Sequence, residues 1–323
     1  MDDNKEAARK LITPQANETR FIFFGGKGGV GKSVSSAATA IWLADQGYKT
    51  LLVSTDLQKS FSDIFEREIG YRYAEIEDVP NLIVTEADPK TLVQEHWEKM
   101  IGHLKYAMGD SIVWDFLEKD VSPCLMEMAA FYKLTEFFTE ESKHADVIIF
   151  DTAPSGQAIM LINLPLVWAK REAQLQERKP AWTKVGFWGK VSVTFVGETG
   201  KMIQEIDEKT NKTSELLQDK NHTTFLYVLW PESLPITETE RSVNEIRDYG
   251  IDVAGIIVNE ILPEEEIEKA GTEYFKKRQD MQQKYVKMVE EKFGEKVILH
   301  VPLMETEVKG VDMLRKLSKI LYS

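Results

Sequence analysis

The sequence contains a single cysteine, Cys124, and no long hydrophobic run. One cysteine cannot form an internal disulfide framework, so a cytoplasmic location is the default expectation. No apolar stretch approaches the length of about 20 residues that crosses a bilayer. The first nineteen residues are polar and lack the pattern of a signal peptide. We therefore expect a protein without membrane-spanning helices, with a flexible N-terminus at residues 1–19.

Positive charge is scarce relative to negative charge. The chain has 40 Lys and Arg against 53 Asp and Glu, which gives a formal net charge of -13. This balance argues against broad nucleic-acid binding, so no nucleic-acid partner is expected. The hydrophobic content of 43% over 323 residues is ample for a large core.

A nucleotide-binding loop is the clearest motif. Gly26, Gly31, Lys32 and Ser33 fill the frame G-x-x-x-x-G-K-[ST], between an apolar run at residues 21–24 and a stretch of helical period. Glycines let the loop turn its N–H groups toward phosphate oxygens, and the helix N-terminus adds positive potential. We predict that Lys32 reaches the terminal phosphates of ATP and that Ser33 holds Mg²⁺. Further candidate nucleotide-binding positions are Lys27, Gly28, Gly29, Val30 and Val34.

Short apolar runs recur along the chain and alternate with helical patterns. We predict strands at residues 50–54, 82–85, 147–150, 223–229, 253–258 and 297–301. Two of the intervening helical patterns stop at Gly47 and Gly250. The alternation predicts an α/β fold with a mostly parallel sheet and helices on both faces. Ligands in such folds bind at the carboxyl ends of the strands.

Two long intervals, at about 90–143 and 166–221, break this alternation. Both are rich in helix formers and contain several methionines and tryptophans. We predict that they form a helical subdomain inserted into a single P-loop ATPase domain at residues 20–323. Methionines and aromatics at helical spacing are most often core residues, but methionine also packs adaptably against varied apolar partners.

Two aspartates follow predicted strands, Asp56 after the second and Asp151 after residues 147–150. A carboxylate at the first position can orient the attacking water, and one at the second can bind the Mg²⁺ shell. A lone aspartate after a strand more often caps a helix. Two of them downstream of a P-loop favour catalysis.

Lys27 is a second lysine in the loop. The stretch G-K-G-G-V-G-K-S resembles the deviant loop of the group formed by MinD, the nitrogenase iron protein and the arsenical-pump ATPases. In that group the early lysine reaches across a dimer interface, so the resemblance implies a nucleotide-dependent homodimer in which Lys27 and Lys32 both act in catalysis. A cation supplied in trans would stabilise the charge that phosphoryl transfer gathers. The alternative is a solvated loop lysine.

Motifs along most of the chain resemble the arsenical pump-driving ATPase (ArsA) family, which includes the targeting factor for tail-anchored membrane proteins. Residues 55–63, T-D-L-Q-K-S-F-S-D, are similar to the family's first switch, and residues 151–158, D-T-A-P-S-G-Q-A, to its second. Residues 86–89 and 231–241 resemble its E-I-D-P and P-E-x-L-x-x-x-E-T-x-R motifs. The likeness extends from residue 21 to residue 310.

The resemblance also supplies two residues for the nucleotide site. V-N-E at residues 258–260 stands where the family has V-N-Q and uses the asparagine on the adenine, which implies a base contact for Asn259. Residues 301–310 are similar to the family's P-L-x-x-x-E-V-x-G, which makes Pro302 a candidate nucleotide-site residue.

The switches depart from the family pattern. The family's Pro, Ala and His of the first switch are Leu57, Gln58 and Lys59, and the His of the second is Gln157. Because Asp56 is kept, we expect hydrolysis to survive, with an altered rate or an altered coupling to switch movement.

A second departure concerns zinc. The targeting branch often carries C-x-x-C before R-x-x-M-Q-x-K-Y, but here the cysteine positions hold Thr272 and Phe275. The second frame is matched by Arg278, Met281, Gln282, Lys284 and Tyr285. Without soft ligands no zinc is expected, and dimerisation must rest on other contacts.

Cys124 begins the octapeptide C-L-M-E-M-A-A-F. This resembles C-T-E-E-I-A-A-F of the arsenite-pump branch, whose cysteine binds trivalent metalloid. Pro123 and Glu127 also fit the P-G-I-D-E-A that the targeting branch has at this point. A symmetric dimer would supply two thiolates to a metalloid. The alternative is a small buried residue with no ligand.

Three functions follow from the resemblance. The favoured one is an ATP-hydrolysing dimeric switch whose helical subdomain binds the hydrophobic helix of a tail-anchored client, with a membrane receptor as a further partner. The second is the ATPase subunit of an arsenite efflux pump. The third is a MinD-like membrane-cycling ATPase, suggested by the basic amphipathic residues 311–323, although a docked terminal helix explains that stretch equally well.

Overall fold

The computed structural model describes residues 2–55, 60–86, 88, 91–96, 123–152 and 198–323. The chain divides into two compact units. The first contains Met1–Ala87, Ser142–Ala158 and Gln218–Ser323, and the second contains Asp88–Glu141 and Ile159–Leu217. The second unit covers much of the two intervals that the sequence marks as inserted.

One eight-stranded sheet forms the centre of the first unit. Its strands are β1 Arg20–Gly25, β2 Thr50–Ser54, β3 Ala74–Glu75, β4 Leu82–Glu86, β5 Val147–Asp151, β6 Thr223–Leu229, β7 Val253–Ile261 and β8 Val297–Pro302. Their order is β3-β4-β2-β5-β1-β6-β7-β8. All neighbouring strands are parallel except β3, which pairs antiparallel with β4. The predicted α/β fold with a mostly parallel sheet is confirmed.

The described helices alternate with these strands. They are α1 Asp2–Ile12, α2 Lys32–Asp45, α3 Ser60–Ile64, α4 Pro123–Thr139, α5 Glu198–Gln218, α6 Ser233–Asp248, α7 Glu264–Ala270, α8 Glu273–Phe293 and α9 Gly310–Tyr322. Residues 91–96 are also helical. Gly47 and Gly250 follow α2 and α6 with φ of 94° and 80°, left-handed conformations that end a helix.

The core lies on both faces of the central strands, which explains why they read as continuous apolar runs. In β1 the side chains from Phe21 to Phe24 are all buried. Phe23 stacks on Phe150 of β5 and on Phe225 of β6, with ring centroids 4.5 and 4.8 Å apart. This packing fixes β1 between its neighbours and therefore fixes the loop that follows it.

The N-terminus differs from the expectation of a flexible segment at residues 1–19. Residues Asp2–Ile12 form α1, and Ala8 and Ile12 are fully buried. Lys5 Nζ donates to the carbonyl of Ser323 at 2.6 Å, and Arg9 Nη1 donates to the carbonyl of Tyr322 at 2.9 Å. The basic side chains of α1 therefore satisfy backbone carbonyls at the end of α9. These partners lie at the opposite end of the sequence, so the pattern of residues 1–19 alone could not indicate them.

The amphipathic C-terminus is docked. The apolar face of α9 is buried, and Arg315 makes two hydrogen bonds to the Asp45 carboxylate of α2, at 2.8 and 3.0 Å. Tyr322 is fully buried, and its hydroxyl lies 2.7 Å from Thr39 Oγ1 on α2. The apolar face on which the MinD-like membrane-cycling hypothesis rested therefore packs against the P-loop helix.

Candidate nucleotide-binding site

The loop between β1 and α2 has a shape that two glycines make feasible. Gly31 has a φ of 89°, and a Cβ there would lie 2.3 Å from Nδ2 of Asn259. Gly26 has a φ of 149°, and a Cβ there would lie 2.5 Å from the carbonyl oxygen of Val228 in β6. Both positions exclude a larger residue by backbone conformation and by contact.

The middle of the loop faces open space. Gly28 and Gly29 have φ of 84° and 73°, and no atom lies within 4 Å of a Cβ built on either. Val30 is buried, and Val34 packs against the core from α2. The valines therefore anchor the loop by their side chains, while the glycines leave its backbone accessible to a ligand.

Lys32, Ser33 and Asp151 meet at the start of α2. Asp151 ends β5, which pairs with β1, so its carboxylate lies beside the loop. Ser33 Oγ donates to Asp151 Oδ2 at 2.5 Å, and Lys32 Nζ lies 3.7 Å from Asp151 Oδ1. The Asp151 side chain is fully buried and that of Lys32 is 10% exposed. The structure thus brings together a buried ammonium, a hydroxyl and a carboxylate that the sequence predicted separately.

Lys27 leaves the loop in another direction. Its Nζ lies 2.9 Å from Oε1 of Glu238 on α6, and its side chain is 53% exposed. In the single chain the lysine predicted to act in trans is thus paired with its own subunit. A partly exposed ion pair of this kind contributes little stability, about 0–1 kcal/mol.

Asn259 and Pro302 lie at the carboxyl ends of β7 and β8. Asn259 Nδ2 donates to the carbonyl of Val30 in the loop at 3.0 Å. Pro302 pairs in register with Ile261, two residues beyond Asn259. Asn259 therefore contacts the phosphate-binding loop directly, which its predicted base-binding role does not by itself require.

A family model described as an anion-transporting ATPase matches residues 19–323. The chain belongs to the ArsA ATPase family. Membership supports an ATPase activity, as the loop and its partners suggested.

Individual ArsA relatives differ in name. A Halobacterium salinarum protein whose name describes it as an arsenical pump-driving ATPase is 35% identical over 324 residues, which cover 100% of this chain and 47% of that protein. A Sclerotinia sclerotiorum protein named ATPase get3 is 31% identical, covering 100% of this chain and 95% of its own length. ATPase ASNA1 homolog 1 of Paramecium tetraurelia is 31% identical, covering 94% and 93%. This chain thus spans about half of the first relative and nearly all of the other two.

Several predicted ArsA switch residues lie outside the described part of the chain. These are Asp56, Leu57, Gln58, Lys59 and Gln157. Cys124 falls within α4, but its side chain is likewise outside the description. Thr55, the last described residue before this gap, lies beside the site, because its N and Oγ1 both donate to the carbonyl of Asp151, at 2.9 and 3.2 Å.

Sequence reasoning missed the role of Glu86, the last residue of β4. Its buried carboxylate accepts hydrogen bonds from Phe61 N at 2.6 Å, Ser62 N at 3.2 Å and Ser62 Oγ at 3.1 Å. It therefore caps α3, the helix that overlaps residues 55–63, the stretch that resembles the first switch of the ArsA family. The signal was the E-A-D-P motif, which marked the residue without indicating a contact.

The described residues contain no group of three or more His, Cys, Asp and Glu side chains placed to hold a metal ion. Thr272, at one of the former cysteine positions, caps α8 by accepting a bond from Phe275 N at 3.4 Å. Within the same part of the chain no helix combines the length and apolar character that crossing a membrane requires.

Proposed function

We propose that this protein is an Mg²⁺-dependent, ATP-hydrolysing homodimeric switch that binds the hydrophobic helices of tail-anchored membrane proteins in the cytoplasm. The observation that carries the nucleotide part is the buried contact of Lys32 and Ser33 with Asp151 at the carboxyl edge of the sheet. Burying a carboxylate and an ammonium carries a desolvation cost, and such arrangements of ionisable groups are concentrated at functional sites.

The residues present fit a hard cation. Ser33 Oγ and Asp151 Oδ2 are two oxygens that already lie 2.5 Å apart, and Mg²⁺ prefers oxygen ligands, some of them water. When bound with ATP, the ion would neutralise charge on the terminal phosphates. Lys32 would contact the same phosphates, and the accessible backbone of Gly28 and Gly29 would donate to phosphate oxygens. Asp56 would orient the attacking water.

Lys27 would exchange partners when two subunits meet. Its exposed ammonium is held by Glu238 at 2.9 Å, and a phosphate of the partner subunit's nucleotide is a stronger anion than one carboxylate. The exchange would make the dimer depend on bound ATP, since the phosphates supply the alternative partner. This gives a physical basis for a nucleotide-controlled switch.

The client class rests on the motifs that resemble the tail-anchor targeting branch. The second unit, which contains α4 and most of α5, is compact in itself and includes most of the inserted residues. Relatives named get3 and ASNA1 match nearly end to end, which supports this branch.

Metalloid-pump ATPase is the second candidate. It is favoured by the 35% identity to a protein named for arsenical pumping and by the sequence around Cys124. The two candidates differ in what Cys124 does. A pump ATPase would bridge arsenite between the thiolates of two subunits, whereas a client-binding switch would use the cysteine only for packing.

One experiment separates the candidates. ATPase activity is measured with and without micromolar arsenite, for the natural chain and for Cys124→Ser, and capture of a tail-anchor peptide is measured by co-purification. We expect capture in both proteins and no arsenite response, because one thiolate per subunit leaves a third arsenic valence to water. Cysteine-dependent stimulation without peptide capture would assign the protein to metalloid transport instead.

A further inference from the structure

The side-chain amide of Gln282 on α8 makes two hydrogen bonds to the backbone at the end of β7, the strand that carries Asn259. Its Nε2 donates to the carbonyl of Glu260 at 2.9 Å, and its Oε1 accepts from the N–H of Leu262 at 2.8 Å. The orientation of the amide is unambiguous, because a backbone carbonyl can only accept and a backbone N–H can only donate. One side chain thus satisfies the carbonyl of Glu260 and the N–H of Leu262.

The segment that Gln282 holds is not a regular strand. Glu260 has a φ of 58°, a left-handed conformation that is unfavourable for a residue with a long side chain. The register between β7 and β8 shifts between Val258 and Ile261. Such a conformation persists only where surrounding contacts determine it. The two bonds from Gln282 fix the backbone directly after Glu260, on either side of Ile261.

Asn259 immediately precedes this strained residue. Its side chain reaches the P-loop, where Nδ2 donates to the carbonyl of Val30 at 3.0 Å. Gly31 gives it room, since any Cβ there would lie 2.3 Å from the same nitrogen. A continuous set of contacts therefore leads from α8, through the backbone of residues 260–262, to Asn259 and the phosphate-binding loop.

We propose that Gln282 is a positioning residue for nucleotide binding, which sets the direction of Asn259 by fixing the left-handed turn at Glu260. The inference rests on the proposed ATP-binding function of the P-loop. It assigns α8 a role in nucleotide affinity, although no residue of that helix belongs to the loop itself.

The attachment of α8 does not depend on Gln282 alone. Arg278 Nη2 donates to Glu232 Oε1 at 2.7 Å, and Val289 is fully buried. Loss of the amide should therefore free the turn at Glu260 without detaching the helix. This separation makes a point substitution informative.

The test compares Gln282→Leu with Gln283→Leu. Gln283 is the exposed neighbour on the same helix, and its amide makes one long contact, 3.4 Å from Glu264 Oε1. We expect the KM for ATP and the dissociation constant of a fluorescent ATP analogue to rise about threefold to tenfold in Gln282→Leu, the effect of one or two hydrogen bonds. The turnover number should stay within about twofold, because the predicted contact of Asn259 with the adenine would be equally strong in the ground state and the transition state. Gln283→Leu should match the natural chain.

Two further variants show whether the effect passes through Asn259. Gln282→Glu keeps the acceptor for Leu262 N but loses the donor to Glu260, so its affinity should be intermediate and its fold intact. Asn259→Ala combined with Gln282→Leu should bind no more weakly than Asn259→Ala alone.

Equal affinities for Gln282→Leu and Gln283→Leu, or additive losses in the double variant, would overturn the role of Gln282. Should Gln282→Leu fail to fold, full affinity in Gln282→Glu would overturn it equally. Lys32→Ala, measured alongside, separates this result from the proposed function: unchanged affinity in that variant refutes the P-loop assignment itself.

Discussion

Replacing Asp151 by asparagine changes the candidate site by one charge while keeping its shape. The carboxylate is fully buried, lies 3.7 Å from Lys32 Nζ and accepts a 2.5 Å hydrogen bond from Ser33. An amide in its place retains an acceptor for Ser33 but no longer compensates the ammonium. The variant therefore isolates the electrostatic part of the site.

The expected loss of stability follows from the separation of the two charges. With an effective dielectric constant of about 20, opposite charges 3.7 Å apart attract by about 4.5 kcal/mol. The natural protein also carries the cost of burying both ions, and removing one partner of a buried pair typically costs about 3–5 kcal/mol. We expect Asp151→Asn to lower the free energy of unfolding of the nucleotide-free protein by about 3 kcal/mol.

The nucleotide response should change in two directions. Without metal, ATP should bind at least as tightly to Asp151→Asn as to the natural chain, because the carboxylate repels the phosphates. Mg²⁺ should raise the affinity of the natural chain for ATP, and this increase should be absent in Asp151→Asn. Hydrolysis by the variant should fall by about two orders of magnitude or more. Urea unfolding, titration with ATP in chelator or Mg²⁺, and phosphate release measure the three quantities.

Asp146→Asn is the matched control. Asp146 precedes the other end of β5, is exposed, and accepts only from Lys49 N, at 2.8 Å, among the contacts described for its side chain. It should leave nucleotide binding and hydrolysis unchanged. If Asp151→Asn retains full stability together with Mg²⁺-stimulated hydrolysis, the assignment of Asp151 to the metal and to Lys32 is refuted.

Three further variants test the dimer, the docking of α9 and the burial of Glu260. Mixing Lys27→Ala with Lys32→Ala subunits should restore part of the lost ATPase activity, since one site of each hybrid dimer is complete; no recovery would mean that Lys27 serves its own chain or none. Tyr322→Phe should lower the free energy of unfolding by about 1 kcal/mol, through the lost bond to α2, whereas Tyr274→Phe at an exposed position should not. Burial, with the nearby Glu232 carboxylate, raises the pKa of Glu260, so ionised Glu260 costs stability above that pKa. Glu260→Gln should be more stable at neutral pH, and the gain should vanish as the pH falls toward 4.5; a constant gain would contradict this cause.

The positions of most strands along the chain, and that of the loop, could be read from the sequence because both are local patterns. The predicted run at residues 50–54 is β2, and the run at residues 223–229 is β6, residue for residue. The position of Asp151 could be predicted as well, since a carboxylate at the end of a parallel strand lies at the carboxyl edge of the sheet, where ligands bind in such folds. Short β3 was missed, because two residues carry no periodicity.

Contacts between distant segments could not be read in the same way. The docking of α1 depends on carbonyls of Tyr322 and Ser323, more than 300 positions away. The pairing of Lys27 with Glu238 and the reach of Gln282 to Glu260 depend on how helices pack against the sheet. Residue identity suggested that these groups mattered, but only the fold shows what each one contacts.

The central claim is that ATP binds and is hydrolysed at the loop between β1 and α2. The most direct measurement is nucleotide affinity and ATP turnover in Lys32→Ala, compared with Lys49→Ala at an exposed position. We expect Lys32→Ala to bind ATP too weakly to detect and to show no turnover, while Lys49→Ala should resemble the natural chain. ATP affinity in Lys32→Ala close to that of the natural chain would contradict the claim.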